Sequence, residues 1–227
     1  MKNVFIVIPA FNEERRVGGV IRGLKSQGFK NILVVDDCSE DKTAFVAEQE
    51  GALVLHHLVN RGPGAATYTG IQAALLKGAE VLVTLDADGQ HHPEDVIRLV
   101  EELEKSGMDV IIGSRFLDKK QLRKIPFLRV WFNRLGSLIT WFLSGIYLSD
   151  SQSGFKVFSR YAAEQIEIQT NGFEFCSEIV REIRYHGLKY REIPIAVYYS
   201  DYTKAKGQNF SVGVETFFKL FVRSLMR

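Results

Sequence analysis

Short apolar runs alternate with segments of helical spacing through the first half of this chain, and several runs end on acidic residues. Residues 4–8 stop at Pro9, residues 32–35 at Asp36-Asp37 and residues 81–85 at Asp86. Residues 52–55 and 110–112 read as two further strands. Apolar residues three and four apart predict helices over 13–27, 41–50, 65–77 and 93–105. Gly28, Gly51 and Gly78 stop the first three, and Pro93 opens the fourth. Runs apolar on both faces, with helices between them, predict an α/β fold on a mostly parallel, doubly wound sheet. Such sheets bind ligands beyond the carboxyl ends of their strands, where the polar clusters of this chain fall.

The pattern changes after Arg115. Residues 127–148 are apolar almost all round a helix, with Phe127, Trp131, Trp141 and Phe142 among them. The charge changes too. Residues 1–118 carry 12 Lys/Arg against 18 Asp/Glu, a balance of −6, and residues 119–227 carry 17 against 9, a balance of +8. From Lys119 to Ser149 there are six basic residues and no acid. That asymmetry predicts either an anionic partner or a solvated basic face. The longest uncharged stretch, 135–149, has 15 residues, short of the roughly 20 that span a bilayer. Basic residues flanking Trp and Phe fit a helix lying in the membrane interface; a buried core helix fits the same pattern. Residues 155–158 read as a strand, 174–185 as a helix, 190–199 as a strand or hairpin and 210–226 as a C-terminal amphipathic helix. Cys38 and Cys176 have no metal spacing, and the first residues lack signal-peptide anatomy, so a reducing, cytoplasmic setting is expected.

The strongest chemical signal is Asp86-Ala87-Asp88-Gly89-Gln90-His91. Two carboxylates two residues apart at the end of a buried strand are costly unless something neutralises them. Their hard oxygens favour Mg²⁺ or Mn²⁺ shared with substrate phosphates; the alternative is that they cap the helix at Pro93. A calcium loop is excluded, because its glycine position is His91 and its closing glutamate position is Ile97. Pro9 to Glu14 and Asp36-Asp37-Cys38-Ser39 place acids and amides where a base or ribose could be held. Helix capping by Asn12, Ser39 and Asp41 is an equal reading. The turn at 60–66 is glycine-rich and suits close backbone approach, but it is neither GxGxxG nor a P-loop.

Together these segments resemble the family 2 glycosyltransferases of the GT-A fold, in the dolichol-phosphate mannose synthase-like branch. The resemblance covers nearly the whole chain. It rests on Pro9 to Glu13, Asp36-Asp37, Asp86 to His91, Gly113-Ser114-Arg115-Phe116 and Asp150 to Phe155. Glu178, Glu192-Ile193-Pro194 and Lys206 extend it. It implies inverting, metal-dependent transfer of a hexose from a nucleotide-diphosphate sugar, of GDP-mannose or UDP-glucose type, to a polyprenyl or dolichyl phosphate. The enzyme would sit peripherally on the cytoplasmic face of a membrane. The alternatives are a transferase acting on a sugar hydroxyl and a catalytically silent nucleotide-sugar or lipid-phosphate binding module. A nucleic-acid partner is not expected, since it would leave the acidic strand ends unexplained.

Carried over by motif, Pro9, Ala10, Glu13, Asp37 and Asp86 would contact the nucleotide, and Asp88 and Gln90 would hold Mg²⁺ or Mn²⁺. Arg115, Arg134, Ser137 and Lys206 would receive the acceptor phosphate. Asp86, Asp88, Arg115 and Asp150 would be catalytic, Asp150 as a base if the acceptor is a hydroxyl. Residues 1–227 would form one catalytic domain, with a nucleotide-sugar half over 1–118 and an acceptor and membrane-interface half over 119–227. The chain departs from the family at Ala205, where a serine precedes the lysine, and at Ser200, where the mannose synthases carry arginine.

Overall fold

The computed structural model describes residues 3–118, 122, 125 and 127–198. Its strands are β1 (Val4–Ala10), β2 (Asn31–Asp36), β3 (Leu53–His56), β4 (Val81–Thr84), β5 (Val110–Ser114), β6 (Lys156–Ser159) and β7 (Tyr190–Pro194). Its helices are α1 (Val17–Ser26), α2 (Thr43–Gln49), α3 (Pro63–Leu76), α4 (Pro93–Ser106), α5 (Phe127–Ser144), α6 (Arg160–Gln165) and α7 (Phe175–Tyr185). The strands form one sheet in the order β3-β2-β1-β4-β6-β5-β7. All neighbours are parallel except β6, which runs antiparallel to both β4 and β5. The α/β, mostly parallel reading of the sequence is therefore correct, and strands from both halves of the chain share the sheet.

Both faces of the sheet are covered, which is why β1 reads as unbroken apolar sequence. Ile6 and Ile8 pack with Val17, Ile21 and Leu24 of α1 and with Val96 and Leu99 of α4. Val7, on the opposite face, packs with Ile71 of α3 and Ile179 of α7. At Gly70 a Cβ would come 2.2 Å from Val7 Cγ1, so α3 lies directly on β1.

Several boundaries differ from the sequence reading for local reasons. The helix expected from residue 13 begins at Val17. Residues 13 and 14 are instead tied to the loop after β2: Glu13 N–H donates to Thr43 Oγ1 at 2.7 Å and Glu14 N–H to Asp41 Oδ2 at 3.1 Å. Such side-chain acceptors offer the backbone an alternative to the helix. Helix α5 stops before Gly145, which adopts φ 72°, rather than continuing to 148. Strand β7 ends at Pro194, and beyond it Val197 bridges His91. The short α6, capped by Ser159 Oγ accepting from Ala162 N–H at 3.1 Å, had no counterpart in the sequence reading. The C-terminal helix expected over 210–226, Lys206, and most of the basic stretch 119–126 lie outside the described residues.

Helix α5 is inverted relative to an ordinary surface helix. Its buried side is polar, formed by Asn133, Ser137, Thr140 and Ser144. Its outward side, which also carries the exposed Arg134, is mostly apolar: Phe127 is 79% exposed and Phe142 82%, with Trp131, Leu138 and Trp141 about half exposed. The core-helix reading of this segment is thereby excluded. Among the described residues no helix is long and apolar enough to cross a membrane.

Candidate active site

Strands β1, β2 and β4 end on one side of the sheet, and their carboxyl ends carry Pro9, Asp36-Asp37 and Asp86. Because β6 is reversed, its amino end lies on that same side. The turn leading into it, 149–155, is thus delivered to the site.

Asp86 stands two residues past Thr84. Gly154 forms its seat: a Cβ there would fall 2.5 Å from Asp86 Oδ1 and 2.8 Å from Oδ2, so any side chain would displace the carboxylate. Thr84 Oγ1 fixes the seat by donating to the Gly154 carbonyl at 2.7 Å. His91 Nε2 lies 3.5 Å from Asp86 Oδ2, and the His91 ring packs against Phe155. Asp88 Oδ1 accepts from Gln90 N–H at 2.9 Å, and its other oxygen accepts from the Gln90 amide. The loop is pinned from outside by Tyr198, whose N–H donates to the Gln90 carbonyl at 2.9 Å and whose ring stacks on His92.

The two acids have opposite titration behaviour. Burial alone would raise the Asp86 carboxyl, but hydrogen bonding and charge from His91, with the charges of Arg115 and Lys156, outweigh it and hold Asp86 below its usual value of 3.8. Asp88 is raised, by burial first and by the Asp86 charge second, against the lowering hydrogen bonds of Gln90. The donor set suits a hard divalent ion: two carboxylates and an amide, with no cluster of three His, Cys, Asp or Glu among the described residues. Mg²⁺ and Mn²⁺ sites of this sparse kind are completed by substrate phosphates.

Of the residues expected to contact the nucleotide, Ala10 and Glu13 are buried and Pro9 partly so. The loops after β1 and β2 are stitched together: Asn12 N–H donates to Ser39 Oγ and Glu40 N–H to Asn12 Oδ1, each at 2.9 Å. Asp37 is fully engaged by the protein. Its Oδ1 lies 2.6 Å from His57 Nδ1 and accepts from Arg61 N–H at 2.9 Å, and its Oδ2 accepts from Gly62 N–H at 2.7 Å. His57 Nε2 lies 3.0 Å from Thr69 Oγ1. Asp37 here holds the glycine-rich turn in place. That turn's close approach is to protein backbone: a Cβ on Gly62 would fall 2.3 Å from the Asn171 carbonyl oxygen, and one on Gly64 2.1 Å from that of Thr170.

Asp150, expected to be catalytic, has no exposed surface, and both its oxygens are held by Arg115. Oδ2 accepts from Arg115 Nε at 2.7 Å and from its backbone N–H at 3.1 Å; Oδ1 accepts from Nη2 at 2.8 Å. Asp150 is therefore a positioning residue for Arg115 in this arrangement. Glu192 holds the same turn from β7, accepting from Ser149 N–H at 2.9 Å, Ser149 Oγ–H at 2.8 Å and Asp150 N–H at 3.1 Å. Arg134 and Ser137, placed on one helix face by spacing, point differently. Arg134 is exposed, whereas Ser137 is buried with its Oγ 3.3 Å from Ser151 Oγ. His57, Gly154, Lys156 and the role of Glu192 were not singled out by the sequence reading. The one available signal was Lys156, a lysine set inside the apolar run Phe155 to Phe158.

The family model described as glycosyl transferase family 2 matches residues 5–167. A UDP-N-acetylglucosamine–dolichyl-phosphate N-acetylglucosaminyltransferase of Methanococcus voltae is 33% identical over 244 residues, covering 99% of this chain and 96% of that protein. The polyprenol monophosphomannose synthase of Mycolicibacterium smegmatis is 29% identical over 204 residues, 86% of this chain and 77% of that one. Among solved structures, glucosyl-3-phosphoglycerate synthase from Mycobacterium tuberculosis, in complex with Mn²⁺, UDP and glucosyl-3-phosphoglycerate, shares the fold. Its TM-score is 0.71 at 18% identity, covering 98% of this chain and 80% of that one.

Proposed function

The chain belongs to glycosyl transferase family 2, and from that premise we propose that it transfers a sugar from a nucleoside-diphosphate donor to a polyprenyl phosphate, with inversion. The observation that carries the acceptor is the Arg115–Asp150 pair. The acid that a hydroxyl acceptor would need as a base is fully buried and bound at both oxygens. A phosphate monoester needs no such base, because with a second pKa of roughly 6 it is largely ionised at neutral pH. An acceptor phosphate oxygen attacks the anomeric carbon, the bond from that carbon to the diphosphate breaks, and the electron pair leaves with the diphosphate. A divalent ion held by Asp88 and Gln90, with Asp86 beside it, would supply Lewis-acid stabilisation of that leaving group. Arg115, aimed by Asp150, orients the incoming phosphate and offsets the repulsion between two anions.

A UDP-linked sugar is the favoured donor. The functionally named relative that spans 99% of this chain takes, by its name, UDP-N-acetylglucosamine. The test is direct. Purified protein with Mn²⁺ and a polyprenyl phosphate is given UDP-N-acetylglucosamine, UDP-glucose or GDP-mannose in separate reactions, and the lipid product is analysed by mass spectrometry. A lipid-linked sugar monophosphate formed from a UDP-sugar is expected. Transfer from GDP-mannose alone would overturn the donor assignment, and transfer only to sugar hydroxyls the acceptor assignment.

The outward apolar side of α5 supports a second part of this reading, peripheral attachment at the cytoplasmic face of a membrane. Phe127, Trp131, Leu138 and Phe142 lie exposed on one side of the helix, the kind of apolar patch that marks an interaction surface. Trp131→Ser/Phe142→Ser protein is expected to lose co-sedimentation with anionic vesicles while keeping UDP affinity in Mn²⁺. Unchanged sedimentation of the double variant would remove α5 from the attachment surface.

A further inference from the structure

Lys156 has no exposed surface, although it lies mid-sheet between buried Phe155, Val157 and Phe158. Across the sheet it pairs with Thr84 of β4 and Ile112 of β5. Its ammonium donates to the Ser153 carbonyl, and among the described residues it makes no ion pair with a carboxylate. A buried ammonium is costly unless an anion lies close, so the position calls for one nearby.

The geometry indicates where that anion is. Thr84, the last residue of β4, stands two residues before Asp86. Lys156, paired with Thr84, therefore lies on the sheet side of Asp86. The segment joining them is tight: Ser153 takes the ammonium, and Gly154 carries the Asp86 carboxylate on its Cα. The charge of Lys156 is felt at Asp86.

We propose that Lys156 is a fixed, buried counter-charge for the donor's diphosphate, a positioning residue that favours the donor-loaded site and the departing diphosphate. The inference rests on the reading of this site as one for a nucleoside diphosphate and a divalent ion. A cation behind Asp86 and Asp88 repels a divalent ion, so its loss would not weaken binding of the metal alone. A diphosphate brings further negative charge that the ion does not cancel, and a buried cation meets it with little screening by water or salt. When the anomeric carbon–oxygen bond breaks, the electron pair stays on the diphosphate and its charge grows by one. A pre-placed cation therefore favours the transition state over the bound donor.

The test uses Lys156→Gln, which keeps a donor for the Ser153 carbonyl but no charge, and Lys156→Met, which keeps neither. Mn²⁺ alone, then UDP and GDP in saturating Mn²⁺, are titrated by calorimetry into wild type and into each variant that retains the wild-type far-UV spectrum. Both variants are expected to bind Mn²⁺ at least as tightly as wild type and to bind the diphosphate at least about tenfold more weakly. UMP should lose less affinity than UDP. Diphosphate affinity unchanged in Lys156→Gln would overturn the proposal, as would equal losses for Mn²⁺ and UDP. A wild type that binds neither UDP nor GDP in Mn²⁺ would overturn the reading of the donor site itself, which is a separate result.

Discussion

Asp88→Asn protein is expected to transfer sugar about a thousandfold more slowly than wild type, a loss of roughly 4 kcal/mol of transition-state stabilisation. The loss follows from removing one of the carboxylates that would place a divalent ion against the leaving diphosphate. The same variant should melt at a higher temperature than wild type in buffer containing a chelator. The Asp88 carboxyl is raised by burial and by the neighbouring Asp86 charge. A group with a raised pKa in the folded state contributes stability at low pH and loses it as pH rises through that pKa. At neutral pH the ionised Asp88 therefore costs stability, and asparagine removes the cost. Asp86→Asn should behave in the opposite way. Its carboxyl is lowered, so its contribution is present above the unfolded value and is lost only as pH falls through the folded one. Melting curves in chelator between pH 4 and 8, with transfer rates in Mn²⁺, check both halves. An Asp88→Asn protein that melts lower than wild type and still transfers normally would defeat the assignment.

Arg115→Lys is the second large effect. We expect kcat/KM for the polyprenyl phosphate to fall about a hundredfold, because a lysine cannot reproduce the planar fork that Asp150 holds through two nitrogens. UDP affinity in Mn²⁺ should stay within about twofold of wild type. The variant should also be less stable by about 2 kcal/mol, since Asp150 is buried and would keep an incomplete partner. Lipid phosphate is varied at saturating donor in both proteins. A change confined to the donor's kinetic parameters would show that Arg115 acts on the nucleotide side.

The parallel part of the sheet was legible because strands covered on both faces leave apolar runs of four or five residues. The acid pair was legible because two carboxylates at a buried strand end need a partner. Other features depend on contacts between distant segments. The run 155–158 gives no sign of its direction, so the reversal of β6 could not be read. Asp37 reads as a ligand to the nucleotide, yet its oxygens are taken by His57, Arg61 and Gly62, some 20 to 25 residues on. Arg134 and Ser137 share a face by spacing alone. Only the docking of α5 shows that Ser137 lies on the buried polar side and Arg134 in the open. The burial of Lys156 follows only from the place of β6 between β4 and β5, which the apolar run does not disclose.

The reversed strand also limits how the chain can vary in length. Successive residues of a strand face opposite sides, so a slip of one position exchanges every side chain between the two faces. One residue inserted between Gly154 and Val157 would turn either the aromatic Phe155 or the lysine to the wrong side. It would also detach the seat of Asp86 from the strand that carries it. Insertions after Gly145 and before Asp150 face no such ruler, because the turn there is anchored by hydrogen bonds from Asn133 and to Glu192 rather than by sheet register. Between residues 145 and 158, length changes should therefore be tolerated only upstream of the turn, and a scan of single-residue insertions across that segment would show a sharp boundary near Asp150.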